Sequence, residues 1–518
     1  MAGTANHYHG LVCLRTCHHL ISTGKIFGQY QQVQSRLEDI PFNSKKVRLI
    51  LVFVSLCIMF RIGKTPMRAF LLALIFLWSA IESIYGLTQV FGVNASRHAA
   101  FVLTGHFDNP GPYGGFIAIT MSVSAAYLLK YRCCRKGWYR GTLFILAALS
   151  FVLGILVLPA SMSRTAWLAL FLSVVIFIAS DKKIMHHLRR WKKWLMPSFV
   201  FLALVFGVMV FCIKPDSAIG RLHIWRIELL SMIHNPMGTG VGTALGTYGK
   251  EQELFFREYL GTVSDRVVRV AGCPEYPFNE FLGIGMEYGW MGMLCFVSLV
   301  LAVLFILHKR RSVLEAGLIA WCVFAMASYP LSVPQTSILF LFFVAAAIPQ
   351  RKVSFLVNVI LISCAVVIVS LSIFWGWYKD FRIIDRGLYR DLYKQGYSFY
   401  QDGEYAKSIE ILERGAAISS DPVFHVVIGR CHEALGEYNV AEKEYIKAYY
   451  MVPCRIYPLV RLMRLKLKEG DYSQAMEVCQ KIISIPVVEK HNTMMQLHEE
   501  VVTVRDSLLQ ATGEFYGE

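Results

Sequence analysis

An arginine at the edge of a long apolar run is a candidate for a functional residue in this sequence. Arg164 lies in the segment 161–167, Ser-Met-Ser-Arg-Thr-Ala-Trp, which opens such a run. An arginine at a membrane boundary is costly unless its side chain reaches water or its charge meets an anion. A guanidinium offers a fork of donors that suits phosphate oxygens, and it keeps its charge. We therefore expect Arg164 to bind a diphosphate, with snorkelling to water as the simpler alternative.

A second arginine motif, 220–226, reads Gly-Arg-Leu-His-Ile-Trp-Arg. Arg221 and Trp225 are four residues apart, so a helix would place them on one face. The Trp225 indole could stack on a sugar or cover the guanidinium of Arg221. The glycine-rich run 238–242 follows and could form a nest of backbone N–H groups for an anion. Such runs are more often plain loops.

Carboxylates are grouped in a third motif, which runs from Cys273 through the sequence Pro-Glu-Tyr-Pro-Phe-Asn-Glu. It contains Glu275, Asn279 and Glu280, and Glu287 follows seven residues after Glu280, on the same face of a predicted helix. Carboxylates beside apolar residues can have raised pKa values and act as general bases. Stabilisation of the helix N-terminus is the alternative role for Glu280.

A turn motif, 104–115, precedes another apolar run and is rich in glycine, proline and asparagine. Asn109 and Pro110 form the centre of the predicted turn. Gly114 and Gly115 would let another backbone approach closely. The alternative is a bare connecting turn.

The elements that position these motifs are predicted to be membrane-spanning helices. The chain has 518 residues, of which 55% are hydrophobic and 17% are charged. A soluble chain of this length would carry more polar surface, and several apolar runs approach or exceed the roughly 20 residues that cross a bilayer. The sequence predicts about ten spans, at 47–60, 68–91, 113–130, 141–159, 165–180, 195–213, 290–308, 314–329, 335–349 and 353–377.

Charge gives the orientation of these spans. The net charge is +16, and lysine and arginine cluster in alternate short loops, which favours the positive-inside rule over nucleic-acid binding. The motifs then all fall on the outer side, together with the long loop 214–289. The thirteen cysteines show no metal-ligand or disulfide spacing, so no metal is expected. We interpret the N-terminal segment 1–46 as interfacial.

The composition changes after Tyr378, where charged helical patterns replace the apolar runs. Gly-acidic-Tyr triplets begin at Gly403, Gly436 and Gly470, at spacings of 33 and 34 residues. Small residues recur at fixed offsets around the triplets, which would let paired helices pack closely. The pattern resembles the tetratricopeptide repeat, a helix–turn–helix unit that stacks into a binding surface for partners. We assign repeats to 386–511, and unrelated amphipathic helices are the alternative.

The four motifs, in this order and on one side, resemble the O-antigen ligase and polymerase family over about 68–350. The resemblance implies an all-α transmembrane bundle at 47–377 in a bacterial inner membrane, followed by the helical repeat domain. It implies transfer of a glycan from an undecaprenyl-diphosphate carrier, at the periplasmic face, to lipid A-core, a growing polysaccharide or a protein. Neither a metal nor another cofactor is implied. Arg164 and Arg221 would hold the diphosphate, and Asn109, Trp225 and Asn279 would contact substrate.

One position departs from the family pattern. Ligases of this family have a histidine immediately before the asparagine of the last motif, proposed to activate the acceptor hydroxyl, and this chain has Phe278 there. Phenylalanine cannot accept a proton. Either another residue takes the role, with Glu275, Glu280 and His223 as the candidates in that order, or this member differs in its acceptor, or it is inactive.

Two other functions fit part of the sequence. A non-catalytic scaffold would use the membrane part as an anchor and the repeats to bind protein partners. A transporter is disfavoured because ionisable residues are sparse at mid-membrane depth, with Glu82 as an exception.

Overall fold

A computed structural model describes residues 45–62, 65–131, 138–180, 215–350, 386–485 and 492–512. Within these ranges the chain forms helices and no strand, which confirms the predicted all-α fold. The predicted spans 195–213 and 353–377, and nearly all of the N-terminal segment, lie outside the described residues. The helices of the apolar part are α1 Lys45–Ile62, α2 Thr65–Val90, α3 Pro110–Tyr131, α4 Trp138–Val157, α5 Arg164–Ser180, α6 Pro215–His234, α7 Ala244–Tyr259, α8 Asp265–Val270, α9 Glu280–Lys309, α10 Leu314–Ala325 and α11 Pro334–Ala347.

Four of these helices, α2, α3, α4 and α9, are long and apolar enough to cross a membrane. Four shorter helices, α1, α5, α10 and α11, are also apolar. Each coincides with one of the predicted spans. The length and composition of these helices identify a membrane protein. Helix α1 belongs to a separate unit, and the remaining helices form the other.

Helix α3 is the centre of the bundle, and it packs against α2, α4, α5 and α10. Seventeen of its twenty-two residues are buried, so it is enclosed on all sides. Hydroxyl groups link it to its neighbours: Thr120 donates to Ser79 at 2.8 Å, and Ser122 shares a hydrogen bond of 2.7 Å with Ser173. Such bonds between helices satisfy polar groups where no water is present.

Helix α9 begins at Glu280, where the carboxylate motif predicted a helix, and it continues through the span predicted at 290–308. Gly289 interrupts it with φ of +71°, a conformation that glycine adopts without a steric penalty. The apolar pattern located only the stretch after this kink, since the first turns carry glutamates and glycines.

The C-terminal part consists of paired helices. They are α12 Arg386–Gln401, α13 Tyr405–Ala416, α14 Val423–Ala434, α15 Tyr438–Met451, α16 Tyr457–Glu469, α17 Tyr472–Ser484 and α18 Asn492–Thr512. The three repeated glycines lie in the turns inside the pairs, with φ near +80°. Gly396 faces Leu412, and Gly429 faces the Tyr445 ring, so these glycines permit the close packing that the repeat pattern predicted.

The paired helices pack onto helix α7, chiefly through α15. Two glycines of α7 make this possible. A side chain at Gly246 would meet the Ala417 backbone, and one at Gly249 would meet Met451 and Ser420. Gln252 also donates a hydrogen bond to the Met451 carbonyl. The repeats are therefore docked on the segment that carries the arginine and carboxylate motifs.

Candidate functional site

Two arginine motifs meet although 57 residues separate Arg164 from Arg221 in the sequence. Arg164 begins helix α5, and Arg221 lies in the second turn of α6. The Arg221 Nη1 donates a 2.7 Å hydrogen bond to the hydroxyl of Thr165. Burial, and then the positive charge of Arg164, lower the pKa of Arg221. Two cations that repel one another in a half-buried position favour an anion between them.

The third motif joins this pair through Phe278. The Arg221 guanidinium lies over the Phe278 ring at 5.7 Å. The Trp225 indole N–H donates to the Phe278 carbonyl at 3.2 Å, so Trp225 fixes the loop before α9 as well as sharing a face with Arg221. The Tyr329 ring packs edge-on against Phe278 and stacks on Tyr276, with centroids 3.9 Å apart. An aromatic wall therefore borders the arginine pair.

The turn motif lies beside the Ser-Arg segment. Asn109 accepts a hydrogen bond from the Gly111 N–H at 2.9 Å, which closes a turn within the motif. The Ser163 hydroxyl donates to the Gly111 carbonyl at 3.4 Å. Gly114 makes room for the side chains of Ser161 and Ser163. The close approach expected at this glycine is thus made by side chains rather than by a backbone.

Asn279 and Glu280 have structural partners. Asn279 caps helix α9, and its side-chain oxygen accepts from the N–H groups of Phe281 and Leu282 at 3.0 and 3.3 Å. Glu280 is buried and accepts from the Leu331 N–H at 2.6 Å. Asn279 therefore ties the loop before α9 to the start of that helix, and Glu280 ties it to the loop before α11.

Glu275 points to the helical repeats. Its carboxylate pairs with Arg390 at 3.0 Å and accepts from the Tyr389 hydroxyl at 3.4 Å. Both groups are largely exposed, so the ion pair contributes little to stability. The first-ranked candidate for the base is therefore engaged with α12.

His223 lies in the packing between α6 and α7. It is 4% exposed and shares a 3.1 Å hydrogen bond with Gln252. Its ring packs against Phe255 and Phe256. Burial lowers its pKa to about 4, so the ring is neutral at physiological pH. Its measured contacts are those of a core residue.

The glycine-rich run does bind an anion, and that anion belongs to the chain itself. The Gly242 N–H donates to the Glu287 carboxylate at 3.0 Å, and the Gly240 N–H donates to the Glu287 carbonyl at 3.0 Å. Trp290 just beyond the kink donates to the Pro236 carbonyl at 3.1 Å. The run thus fixes the kinked helix α9.

Sequence reasoning missed Glu228 and Tyr329. Glu228 is 1% exposed, and neither of its carboxyl oxygens has a hydrogen-bond partner of normal geometry in the described residues. Burial raises its pKa well above the usual value, opposed in part by the nearby Phe278 N–H, and Glu280 adds to the rise. Glu228 lies seven residues after Arg221, a helical spacing that could have signalled a shared face.

The chemistry available here is electrostatic. Guanidiniums can stabilise negative charge that gathers on a departing group, most strongly where water is partly excluded. Among the described residues, no cluster of three or more histidine, cysteine or carboxylate side chains could hold a metal ion.

The fold and the site define a multi-helix membrane protein with a cationic site at the ends of its apolar helices. Residues 149–297 match the family model described as O-Antigen ligase, so this part of the chain is similar to that family. The match includes both arginines, the glycine-rich run and the carboxylate motif. It supports a glycan-transfer function in polysaccharide biosynthesis.

Other comparisons add little. No curated protein matches the chain. Among solved structures, one similar chain is the type III secretion chaperone SycD of Yersinia enterocolitica, in complex with a peptide of the translocator YopD. It is 17% identical over 24% of this chain and 93% of that chain, with a TM-score of 0.22.

Proposed function

We propose that this protein transfers a glycan from an undecaprenyl-diphosphate carrier to an acceptor hydroxyl. The observation that carries the proposal is the pair of guanidiniums, Arg164 and Arg221, brought together from separate helices and repelling one another. A diphosphate between them would relieve this repulsion. The acceptor would be lipid A-core, a growing polysaccharide or a protein, at the periplasmic face of the inner membrane.

In the proposed step, the acceptor oxygen attacks the anomeric carbon while the bond from that carbon to the diphosphate oxygen breaks. The bonding electrons leave with the diphosphate, whose growing charge Arg164 and Arg221 stabilise. The arginines are fixed in advance, and Thr165 holds one of them. The reaction energy is already stored in the glycosyl–diphosphate bond.

The proton of the acceptor hydroxyl needs a base. Of the three residues expected for this role, Glu275 is paired with Arg390, and His223 is enclosed by Gln252 and two phenylalanines. We retain Glu280. It directly follows the loop before α9, and a carboxylate that accepts from the Leu331 and Ser332 N–H groups still has lone pairs for a proton.

The test is to replace Arg164 and Arg221 separately with alanine and to examine the surface glycan of cells that carry each variant. Each substitution should abolish transfer, while immunoblotting shows normal insertion. Lysine at either position should restore transfer only in part, because a point charge cannot make the two-pronged contact. Arg226→Ala is the matched control, since this arginine is exposed on α6 and lies over Phe255.

An unchanged glycan profile in both alanine variants would contradict the proposal and favour the alternative function, a non-catalytic scaffold. The docking of the repeats on α7 argues against a scaffold with an unrelated anchor. That docking also makes deletion of the repeats a poor test, because deletion would uncover the α7 surface around Gly246 and Gly249. Point substitutions avoid this complication.

A further inference from the structure

The first helices of three consecutive pairs, α12, α14 and α16, contribute tyrosines and arginines to one surface. We call this surface the tyrosine–arginine face; it consists of Tyr393, Tyr397, Arg430, Tyr457, Arg461 and Arg464. The Tyr457 hydroxyl lies close enough to Tyr393 and to all three arginines to interact with each electrostatically. The rings of Tyr393 and Tyr397 are near-parallel, at 5.9 Å and 17°.

Arg430 is the arginine of this face that pairs with no carboxylate in the described part of the chain. Arg461 pairs with Glu433 at 2.7 Å, and Arg464 pairs with Glu500 at 2.6 Å. Arg430 instead lies over the Tyr400 ring at 4.6 Å and forms a hydrogen bond with the Tyr397 side chain. Its Nε–H, which is buried, lacks a partner among the described residues. A guanidinium that aromatic side chains hold, and that no carboxylate neutralises, can bind an oxygen-rich ligand.

A cavity of about 220 Å³ lies where the repeats meet the loop before α9. Its polar lining comes from both sides, with Glu275 and Cys273 on the loop and Tyr389, Asp421 and Arg455 on the repeats. Pockets for drug-sized ligands measure about 300–1,000 Å³, so this cavity suits a single sugar ring.

Neighbouring residues connect the face and the cavity with the arginine site. Tyr389 lies one helical turn before Tyr393, so α12 carries the aromatic row from the face to the cavity edge. On the other side, Glu275 directly precedes Tyr276, and Phe278 follows at the Arg221 guanidinium. A chain lying along this path would pass from the repeats to the site of transfer.

We propose that the tyrosine–arginine face and the adjoining cavity bind the acceptor glycan; this rests on the proposed function. Tyrosine offers a flat apolar ring face with a polar tip, which suits sugar rings. Arg430 would bond hydroxyl or carboxylate oxygens. Glu275 and Asp421 pair with Arg390 and Arg455, and the lone pairs that remain on their carboxylates would accept from sugar hydroxyls. Continuity with the transfer site favours a glycan over a protein ligand.

The experiment uses the full chain in detergent and a fluorescent probe. The probe is the oligosaccharide released by mild acid from the envelope of the cells that make this protein. Fluorescence polarisation should show binding by the unaltered protein. Arg430→Ala and Tyr393→Ala should each weaken it at least about 10-fold, which corresponds to 1.4 kcal/mol. Tyr472→Ala is the matched control, because Tyr472 is 59% exposed on a second helix, α17.

Further variants separate the two proposals. Arg164→Ala and Arg221→Ala should bind the probe normally. Binding of the probe can therefore be observed even if the proposed role of the two arginines in transfer is wrong. Arg430→Lys retains the charge and should bind the probe at an intermediate level. Such a level would show that the loss of binding in Arg430→Ala does not come from misfolding. Absence of probe binding, or equal binding by all variants, overturns the inference. Binding of a polyglutamate peptide that Arg430→Ala abolishes, without oligosaccharide binding, would assign the face to a protein and also overturn it.

Discussion

Arg221 on α6 donates its hydrogen bond to Thr165, the residue that follows Arg164 on α5. One side chain thus orients the second arginine and ties it to the element that carries the first. A hydrogen bond to a charged group contributes about 1.5–3 kcal/mol. The bond therefore holds the Arg221 guanidinium close to the start of α5 against the repulsion from Arg164.

Thr165→Val should lower the rate of glycan transfer by about 10- to 100-fold, because it removes the acceptor for Arg221 at nearly constant volume. The measurement is transfer by purified protein from a lipid-diphosphate donor. Thr165→Ser keeps the hydroxyl and should retain most of the rate. Equal rates in the valine variant and the parent would show that Thr165 does not position the arginine.

Glu228→Gln should raise thermal stability at neutral and alkaline pH. Burial raises the pKa of Glu228 in the folded state, so the unfolded chain releases this proton at a lower pH than the folded chain. Ionisation therefore favours unfolding as the pH rises above about 4.3. Glutamine removes this penalty, and the gain in Tm should be larger at pH 8 than at pH 5. A gain that does not depend on pH would contradict this account.

His223 should make the fold sensitive to acid. Its pKa is lowered to about 4 by burial, so the unfolded chain is protonated first as the pH falls below about 6.5. Stability should decline between pH 6.5 and pH 4, by about 3 kcal/mol in all. Comparing Tm values across this range in detergent, His223→Gln should flatten the decline. His234→Gln is the control on the same helix, since the His234 side chain is 56% exposed.

Gly246→Ala should loosen the repeats from α7, because the added methyl group would collide with the Ala417 backbone rather than with a flexible side chain. Limited proteolysis should then cleave within 386–512 faster than in the parent protein. Gly141→Ala is the matched control, because a methyl group at Gly141 would meet open space. Identical digestion of the two variants would mean that the interface tolerates the change.

Much of the architecture followed from the sequence. Apolar runs located the described membrane helices because a helix enclosed by lipid or protein must be apolar along its length. The triplets at Gly403, Gly436 and Gly470 located the turns between paired helices, since each turn needs a positive φ. The motifs also singled out Arg164 and Arg221, because a charge at the end of an apolar run needs a reason to be there.

Only the tertiary structure decided which polar groups are already engaged. Glu275 pairs with Arg390, 115 residues later, and the glycine-rich run binds Glu287 on another helix. Spacing along a chain describes neighbours within one helix, whereas hydrogen bonds and ion pairs between distant segments depend on how helices pack. The same packing joined Arg221 to Thr165 and placed Phe278, Tyr329 and Glu228 nearby. The sequence therefore supplied the residue types, and the fold decided which contacts they make.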